Sequence, residues 1–247
     1  MHIAVCINRV PDTASRIDVI NGAVDTARLT MVLNPYDEYA IEEAVRIKET
    51  RDDVVITAFS AGSTEHYDVL RKALAMGADN ACLVEGVKTD DSLCVAESLS
   101  RAILDHYGNI PDLVICGRES SDCSRAQVPL MLGEKLGAGS LSAVSRLSWQ
   151  NGTLEAGREI EGGMEVFELS LPAVISVEKD LNIPRKTNVK SVMKARKQEI
   201  IHLDGKVSKE PAVVYREFSI IERQRRCRLF DSAEALLASL HEEKGVL

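Results

Sequence analysis

The sequence contains no hydrophobic run long enough to cross a membrane. Its longest apolar runs include Leu113–Cys116 and Pro172–Val177, whereas a spanning helix needs about 18 residues or more. Residues 1–10 also lack the basic region and long apolar core of a secretion signal. These two absences predict a cytoplasmic protein.

The six cysteines do not form any C-x-x-C pair. A zinc ribbon or a disulfide framework is therefore not expected, and the thiols should be reduced. Most of them stand among apolar residues, where a thiol behaves as a small buried hydrophobe: Cys6, Cys82, Cys94 and Cys116. Cys123 differs because its neighbours are polar.

Positive charge is in deficit, with 38 acidic against 30 basic residues and a net charge of −8. The long-range field of such a chain repels phosphate backbones and anionic lipids, which argues against nucleic acid or a membrane as a partner. One basic cluster stands out near the end, at Arg223, Arg225, Arg226 and Arg228. Charge runs of this kind usually form a solvated or partner-facing surface.

The motifs of self-sufficient catalysts are missing as well. Neither a G-x-x-x-x-G-K-[ST] loop, a G-x-G-x-x-G fingerprint nor a G-x-S-x-G elbow occurs. The five histidines are dispersed and show no metal-ligand spacing. We therefore predict no catalytic residues and no metal site, and assign any chemistry to a bound cofactor.

What is present is a regular alternation of strand and helix patterns. Four short, β-branched runs lack the alternation of half-exposed strands: Ile3–Ile7, Val54–Phe59, Ala81–Glu85 and Leu113–Cys116. Between them, apolar residues recur with helical spacing, as after Asn34 and in Tyr67, Leu70 and Leu74. This order predicts an α/β fold, with a mostly parallel sheet and helices on both faces.

The pattern changes after Ser142. The dipeptide Asn151-Gly152 and the run Glu161-Gly162-Gly163 are turn signals, which predict a small antiparallel meander. Beyond Lys190 the chain is strongly polar until a helical stretch at Ser232–His241. We expect a nucleotide-binding α/β domain in residues 1–190, and in residues 191–247 a C-terminal arm outside the main sheet.

The loop of residues 117–127 follows a buried strand and precedes a helical stripe. Free N–H groups and the helix dipole attract an anion at such a place, and Ser120, Ser121 and Ser124 add hydroxyl donors. Arg118 or Arg125 would add positive charge. A capped surface loop is the alternative, and the spacing alone does not decide between the two.

Several segments together resemble the small (β) subunit of electron transfer flavoproteins. Residues 10–13 are similar to the V-P-D-T turn of that family, and residues 34–44 to its N-P-[FY]-x-x-x-A-[IV]-E-E-A stretch. Residues 73–79 read A-L-A-M-G-A-D, as in the family. Residues 181–185 and 193–197 are similar to L-N-E-P-R and M-K-A-[KR]-K. The similarity spans most of the chain, in the order that the family has.

The resemblance implies a Rossmann-like fold of the adenine-nucleotide-hydrolase type and an electron carrier rather than a self-sufficient enzyme. It implies a heterodimer whose α subunit holds most of an FAD, with residues 191–247 packing on that subunit. This chain would hold AMP, or a second FAD together with NADH in electron-bifurcating members. The implied pocket comprises Cys6, Asn34, Pro35, Tyr36, Asp37, Ala61, Arg118, Glu119, Ser120, Ser121, Asp122, Cys123, Ser124, Arg125, Ala126, Gln127, Val128 and Pro129.

The resemblance also implies a loop that docks a flavin dehydrogenase of the acyl-CoA dehydrogenase type. It corresponds to Leu181, Asn182, Pro184 and Arg185, with an exposed Leu181 as the anchor. Ile183 stands where the family has Glu, and Lys186 where it has Tyr.

The pocket departs from the family too. Residues 123–125 read Cys-Ser-Arg where the family has acidic and small residues, and Pro129 replaces a common Gly. Arg118 and residues 126–128 are similar to the FAD-binding type, whereas Asp122, Cys123 and the turn at 160–163 are similar to the AMP type. The balance favours AMP.

Two rival functions share the sheet and the pocket. An ATP pyrophosphatase-like enzyme would carry S-G-G-x-D-S after the first strand, where this chain reads N-R-V-P-D-T at residues 8–13. A nucleotide sensor would pair with itself and need no flavin partner. A yellow one-to-one complex with a large subunit would separate the carrier from both.

Overall fold

A computed structural model describes residues 1–87, 91–150, 153–205, 210–221 and 227–244. The predicted turn at Asn151-Gly152 and the cluster residues Arg223, Arg225 and Arg226 lie outside these ranges. In chain order the elements are β1 (His2–Cys6), β2 (Arg9–Pro11), β3 (Val19–Ile20), β4 (Ala23–Val24), β5 (Met31–Leu33), α1 (Pro35–Glu49), β6 (Val55–Ala61), α2 (Tyr67–Met76), β7 (Asn80–Glu85), α3 (Ser92–Tyr107), β8 (Leu113–Gly117), α4 (Val128–Leu136), β9 (Gly139–Gln150), β10 (Thr153–Ile160), β11 (Gly163–Leu169), β12 (Ala173–Val177), α5 (Val189–Lys197), β13 (Ile201–Asp204) and α6 (Ala233–Lys244).

One large sheet organises the part of the chain that the structure describes. Its strands lie in the order β11-β10-β9-β12-β8-β1-β6-β7-β13. Neighbours from β9 to β13 in this order are parallel, and β10 is antiparallel to both β9 and β11. The predicted α/β class and its mostly parallel sheet are confirmed.

The central strands are apolar at successive positions because both of their faces are buried. Ile3 and Val5 of β1 belong to one core cluster, into which α1 and α2 pack. Ala4 and Cys6 belong to the second cluster, with residues of α3 and α4. Helices therefore cover both faces of the sheet, as the sequence predicts. None of the helices in the described ranges has the length and apolar character that a membrane span requires.

Helix α1 starts where the sequence predicts it. Pro35 occupies the first turn, Asp37 and Glu38 lie at the positive end of the helix dipole, and Arg46 and Lys48 lie in the last turn. Asn34 stands at the N-cap position, but its side chain makes no capping hydrogen bond. The Asn34 side chain instead makes hydrogen bonds to the loop of residues 117–127.

The predicted meander is present as β9, β10 and β11. It extends the edge of the main sheet next to β12. Along β10, Leu154 and Ala156 point into the core, and Arg158 pairs with Glu165 of β11. The turn at residues 161–162 places Gly162 at φ 81°, a conformation that glycine adopts without strain.

The prediction that the chain beyond Lys190 lies outside the sheet is wrong for its first part. Strand β13 pairs with β7, where Ile201 stands opposite Cys82, and so forms an edge of the main sheet. Helix α5 precedes it, and Arg71 of α2 donates hydrogen bonds to the carbonyl oxygens of Ala195 and Arg196. The sequence obscures these elements because β13 has only 4 residues and α5 is rich in lysine.

The described residues form two compact units. The first contains the whole large sheet and runs through Met1–Ile17 and Asp25–Arg216. The second contains described residues of Asp18–Val24 and Glu217–Leu247. In it, β3 and β4 form a hairpin, and Phe218 N–H donates to the carbonyl oxygen of Gly22 at 2.8 Å. Helix α6 contains most of the predicted last helix.

Candidate functional site

The order of the strands defines where a ligand can enter. From β1 the chain moves to β6 and β7 on one side, then returns to β8 on the other side of β1. At such a switch point the connections leave in opposite directions and open a crevice beyond the carboxyl ends of the strands. Here the crevice lies beyond Cys6 of β1 and Cys116 of β8, which are opposite one another in the parallel register.

A cavity of about 280 Å³ occupies this crevice. Most of the pocket predicted from the sequence lines it: Cys6, Asn34, Asp37, Ala61, Arg118, Glu119, Ser120, Asp122, Cys123, Arg125, Ala126, Gln127, Val128 and Pro129. Pro35, Tyr36, Ser121 and Ser124 are not among its lining residues. The structure thus brings together side chains from β1, β6, α1, α4 and the loop of residues 117–127.

Asn34 ties the start of α1 to that loop. Its side-chain amide donates to the carbonyl oxygen of Glu119 at 2.9 Å, and its Oδ1 accepts from Ser121 N–H at 3.2 Å. Its backbone N–H donates to the carbonyl oxygen of Asn8 at 3.0 Å. Asn34 is only 1% exposed, so this buried amide fixes three chain segments around the cavity.

Asp37 is a second buried side chain that links chain segments around the cavity. Its Oδ2 accepts from Asn8 N–H at 2.6 Å and its Oδ1 from Gly117 N–H at 3.2 Å, which joins the ends of β1 and β8 to α1. Burial raises the pKa of the carboxyl from 3.8 to about 7, although hydrogen bonds from Asn8, Asn34 and Gly117 act to lower it. Gly117 is required there because a Cβ at this position would lie 2.8 Å from the carbonyl carbon of Tyr36.

The loop of residues 117–127 is wound tightly before α4. Ser124 and Ala126 have φ values of 48° and 53°, a left-handed conformation that costs energy in residues other than glycine. Left-handed residues between ordinary ones turn successive N–H groups toward one side, which makes a concave anion site. The Ser121 hydroxyl is buried and has no hydrogen-bond partner within the described ranges. The N–H groups of Ser121, Cys123 and Ser124 already donate to Asn34, Asp122 and Ser120, so the loop is held in this shape by hydrogen bonds of the protein itself.

Three arginines line the cavity, each with a partner. Arg118 pairs with Glu178, and Arg9 pairs with Glu65 at 3.2 Å and Asp68 at 3.1 Å. Arg125 donates to the hydroxyl of Tyr215 and lies 5.0 Å above its ring. Glu119 and Asp122 also line the cavity. An anionic ligand would therefore meet both basic and acidic side chains in this cavity.

The inner wall is apolar and unreactive. Cys6 and Cys116 are 7% and 4% exposed and belong to the same core cluster. The hydrogen bond that the Cys116 thiol donates to Cys6, together with burial, raises the pKa of Cys116 well above its ordinary value. Thiols in this state are poor nucleophiles.

His66 closes one side of the cavity. The Ser60 hydroxyl donates to the carbonyl oxygen of Ile7 at 2.9 Å and lies 2.8 Å from Nδ1 of His66. Because the hydroxyl hydrogen is already used, Nδ1 of the ring donates to Ser60. Burial, and then the nearby Arg9, lower the pKa of His66, so the ring is neutral near pH 7.

Other lining residues were not part of the predicted pocket: Ile7, Asn8, Arg9, His66, Ser92, Val95, Leu99, Cys116, Gly117 and Tyr215. Ile7 and Cys116 end predicted strands, and Asn8, Arg9 and Gly117 directly follow them, so their position could have indicated them. Val95 and Leu99 have the spacing of a helical core face, which does not distinguish them as ligand contacts. Tyr215 lies far along the chain and gave no signal.

A shallower groove adjoins the cavity. Its volume is about 670 Å³, and it is lined by residues 62–66 and 85–87 together with Arg9 and Met31. It shares Arg9 and His66 with the cavity. A ligand larger than a mononucleotide would have room to extend in this direction.

The predicted docking loop is held firmly on α1. Asn182 is 7% exposed and donates to the carbonyl oxygen of Tyr39 at 3.0 Å and to Glu43 at 2.9 Å. Arg185 forms ion pairs with Glu42 at 2.8 Å and with Glu49 at 2.7 Å.

The expectation that Leu181 is an exposed anchor in this loop is wrong, because its side chain is not exposed. Leu181 is half-buried and packs against the core, whereas Ile183 is 89% exposed. The backbone reverses at Asp180, whose φ is 72°, and this turns Leu181 toward the core.

Comparison with known proteins identifies the family of this chain. Residues 21–207 match the model of the electron transfer flavoprotein domain. The chain is 34% identical over 200 residues to the electron transfer flavoprotein subunit beta of Syntrophomonas wolfei, covering 81% of this chain and 78% of that one. The subunit beta of Megasphaera elsdenii is 35% identical, with coverage of 83% and 78%. The subunit beta of Bradyrhizobium diazoefficiens is 30% identical over the whole length of both chains. The chain therefore belongs to the electron transfer flavoprotein family and is a small subunit of the beta type.

Proposed function

We propose that this chain pairs with an electron transfer flavoprotein α subunit, and that the heterodimer carries electrons from flavin dehydrogenases of the acyl-CoA dehydrogenase type to a downstream acceptor. In this proposal the chain holds AMP in the crevice at β1 and β8. An FAD held mainly by the α subunit supplies the redox chemistry. A cytoplasmic location stays a prediction from the sequence.

The observation that carries the AMP assignment is the make-up of the cavity. One wall is apolar, with Cys6, Cys116 and Leu99, and it suits a purine ring. Another side is the loop of residues 117–127 before α4, where Arg118, Ser120 and Arg125 line the cavity and suit a phosphate. The residues present therefore fit an adenylate group.

Size favours AMP over a second FAD. A cavity of about 280 Å³ is at the small end of ligand sites, which span roughly 300–1,000 Å³. A second candidate is the electron-bifurcating type, in which this chain would hold a second FAD and receive NADH. The adjoining groove of about 670 Å³ favours that candidate, because it continues from the cavity past Arg9 and His66.

In this proposal the chain contributes position rather than chemistry. Asn34 and Asp37 fix the loop of residues 117–127 against α1 before any ligand arrives. The neutral His66 and the buried thiols close the inner wall without offering a competing nucleophile or base. A bound AMP would stabilise the loop further, because a ligand that binds only the folded state shifts the equilibrium toward it.

Two surfaces are proposed to contact other proteins. Large apolar side chains in the second unit are exposed, including Ile221 at 76% and Leu229 at 91%. Exposed apolar groups of this kind mark interaction sites, which supports packing of the C-terminal arm on the α subunit. The segment of Leu181, Asn182, Pro184 and Arg185 is proposed to meet the dehydrogenase, as its firm attachment to α1 supports.

Ligand counting tests the proposal. The chain is produced together with the α subunit, the purified complex is denatured, and FAD and AMP are quantified per heterodimer. We expect a yellow one-to-one complex that releases one FAD and one AMP. Two FAD and no AMP would establish the bifurcating candidate. A colourless chain that associates only with itself would overturn the carrier function.

A matched pair of variants tests the position of the nucleotide. Ala61 lines the cavity and is 7% exposed, so Ala61→Leu should fill space that the nucleotide needs. Ala14→Leu makes the same change at an exposed position. We expect the complex with Ala61→Leu to lose AMP but keep its FAD, whereas Ala14→Leu keeps both. Unchanged AMP in the Ala61→Leu complex would place the nucleotide elsewhere.

A further inference from the structure

A segment from the far end of the first unit reaches back to the nucleotide cavity. Residues 212–216, which we call the strap, follow the last strand of the main sheet and contribute Tyr215 to the cavity lining. The structure describes all five residues, and they form neither helix nor strand. Regular backbone pairing therefore does not fix the strap, and its position depends on the contacts at its two ends.

A buried carboxylate holds the first end of the strap. Asp91 is 2% exposed, and its Oδ2 accepts a hydrogen bond from Val213 N–H at 2.9 Å. Its Oδ1 caps α3, because it accepts from Leu93 N–H at 2.7 Å and from Cys94 N–H at 3.3 Å. One oxygen thus serves the helix and the other the strap. Ser92, the next residue, lines the cavity, so this end of the strap is fixed at the edge of the cavity.

The second end of the strap contacts the loop that is proposed to hold the phosphate. The hydroxyl of Tyr215 accepts a hydrogen bond from the guanidinium of Arg125, whose Cζ lies 5.0 Å from the centroid of the ring. The same hydroxyl hydrogen-bonds the thiol of Cys123. Both Arg125 and Cys123 line the cavity. The strap therefore joins two borders of the cavity, the start of α3 and the loop of residues 117–127.

The strap buries little apolar surface in its closed position. Val213, Val214 and Tyr215 are 48%, 70% and 41% exposed. Segments with few buried apolar contacts open locally far more often than the core unfolds. The strap can therefore lift while the main sheet behind the cavity stays folded. A ligand that waits for this opening leaves at a rate set by the contacts of the strap.

We propose that the strap retains the nucleotide: Tyr215 closes the cavity beside the phosphate loop, and Asp91 is the positioning residue that keeps the strap in place. The proposal rests on the proposed function, since it takes the ligand to be AMP. The guanidinium of Arg125 has five N–H donors in a fixed fork, enough to hold the Tyr215 hydroxyl and a phosphate oxygen at once. The nucleotide and the closed strap therefore stabilise each other through Arg125.

The test measures how fast AMP leaves the purified heterodimer. The complex is reassembled with radiolabelled AMP, unlabelled AMP is added in excess, and the label that stays bound is collected on filters over time. Tyr215→Ala removes the closing side chain, and Tyr215→Phe removes only its hydroxyl. Asp91→Asn keeps an N-cap for α3 but removes the acceptor for Val213. Phe218→Ala is the matched control, because Phe218 is 40% exposed and is not a lining residue.

We expect Tyr215→Ala to release AMP about tenfold faster than wild type, since lost contacts act mainly on the dissociation rate. Tyr215→Phe should release it about threefold faster, because the cation–π contact with Arg125 remains. Asp91→Asn should also release it about threefold faster, although Asp91 does not line the cavity, because a strap without its anchor opens more often. Phe218→Ala should match wild type, and every variant should keep its FAD.

Other outcomes overturn the inference. Release from Tyr215→Ala at the wild-type rate would refute the strap while the nucleotide site stands. The wild-type rate in Asp91→Asn would do the same, because Tyr215 would then keep its place without the anchor. Equally fast release from Phe218→Ala, or loss of FAD from the Tyr215 variants, would assign the effect to general loosening of the chain. If the wild-type heterodimer binds no AMP, the proposed nucleotide itself is wrong, and the strap inference falls with it.

Discussion

Asp37 makes the stability of the fold depend on pH in an unusual direction. A typical carboxyl group is stabilised as the anion and loses its contribution in acid. Burial instead raises the pKa of Asp37 from 3.8 to about 7, so the folded state favours the protonated form. Between these two values the folded chain binds more protons than the unfolded chain, and stability falls as pH rises.

The magnitude follows from the two pKa values. Integrating proton uptake with 3.8 for the unfolded and about 7 for the folded chain, the contribution of Asp37 to the free energy of unfolding drops by roughly 3 kcal/mol from pH 5 to pH 8. Asp37→Asn removes this titration. It also leaves only one side-chain oxygen for the N–H groups of Asn8 and Gly117, which costs about 1–3 kcal/mol for an unpaired buried donor.

The assay is urea unfolding of the full-length chain, stripped of nucleotide and followed by circular dichroism at pH 5, 6, 7 and 8. At pH 5 the variant should be less stable than wild type by less than its hydrogen-bond cost, because Asp37 is already ionised in the unfolded chain and wild type must take up a proton on folding. At pH 8 the variant should be the more stable of the two, with a total change of roughly 3 kcal/mol. A stability difference that stays constant across this range would refute the reasoning, since it would mean that Asp37 does not titrate there.

Three further substitutions test how the site and the docking loop are held. Asn34→Ala removes the hydrogen bonds to Glu119 and Ser121. We therefore expect about tenfold weaker AMP retention, measured by dialysis against labelled AMP, and a free energy of unfolding lower by about 1–2 kcal/mol. Unchanged retention would contradict this. Gly117→Ala places a Cβ 2.8 Å from the carbonyl carbon of Tyr36. We expect the free energy of unfolding, measured with urea, to fall by about 1–3 kcal/mol. A fully stable variant would show that the backbone shifts to make room. In Arg185→Lys the single ammonium cannot form ion pairs with Glu42 and Glu49 at the same time. We therefore expect amide hydrogen exchange in residues 181–185 to become about tenfold faster at equal overall stability. Unaltered exchange would mean that Asn182 alone holds the loop.

The main sheet could be predicted from the sequence because its physical cause is local in the chain. Strands buried on both faces must be continuously apolar, and Ile3–Ile7 and Leu113–Cys116 are conspicuous for that reason. Helix α1 was visible in the same way, through Pro35 and the acidic first turn. Strand β13 was not, since a short edge strand with one exposed face has little apolar content, and its position depends on pairing with β7.

Lining residues of the site that follow strands could be predicted by position, but their interactions could not. An Asn before a helix, as Asn34 is, commonly serves as the N-cap. Its actual partners, Glu119 and Ser121, lie more than 80 residues away. Tyr215 likewise reaches Arg125 across 90 residues. Such contacts arise from tertiary packing, which propensity and spacing do not encode.

The exposure of Ile183 also could not be predicted from the sequence. The motif around Leu181 predicts which segment docks, because the motif is local. Which of two aliphatic side chains faces solvent depends on the left-handed turn at Asp180 and on the bonds of Asn182 to α1. Neither can be deduced from the apolar character of the two residues.

Helix α1 connects the two regions that the proposed function requires. Its first turn, with Asp37 beside Asn34, fixes the nucleotide cavity, while Glu42, Glu43 and Glu49 further along fix the docking loop. A helix of 15 residues is about 22 Å long and nearly rigid at this length. A nucleotide that orders the first turn would therefore also steady the docking loop. This gives a physical reason for an electron carrier to hold a nucleotide that takes no part in its redox chemistry.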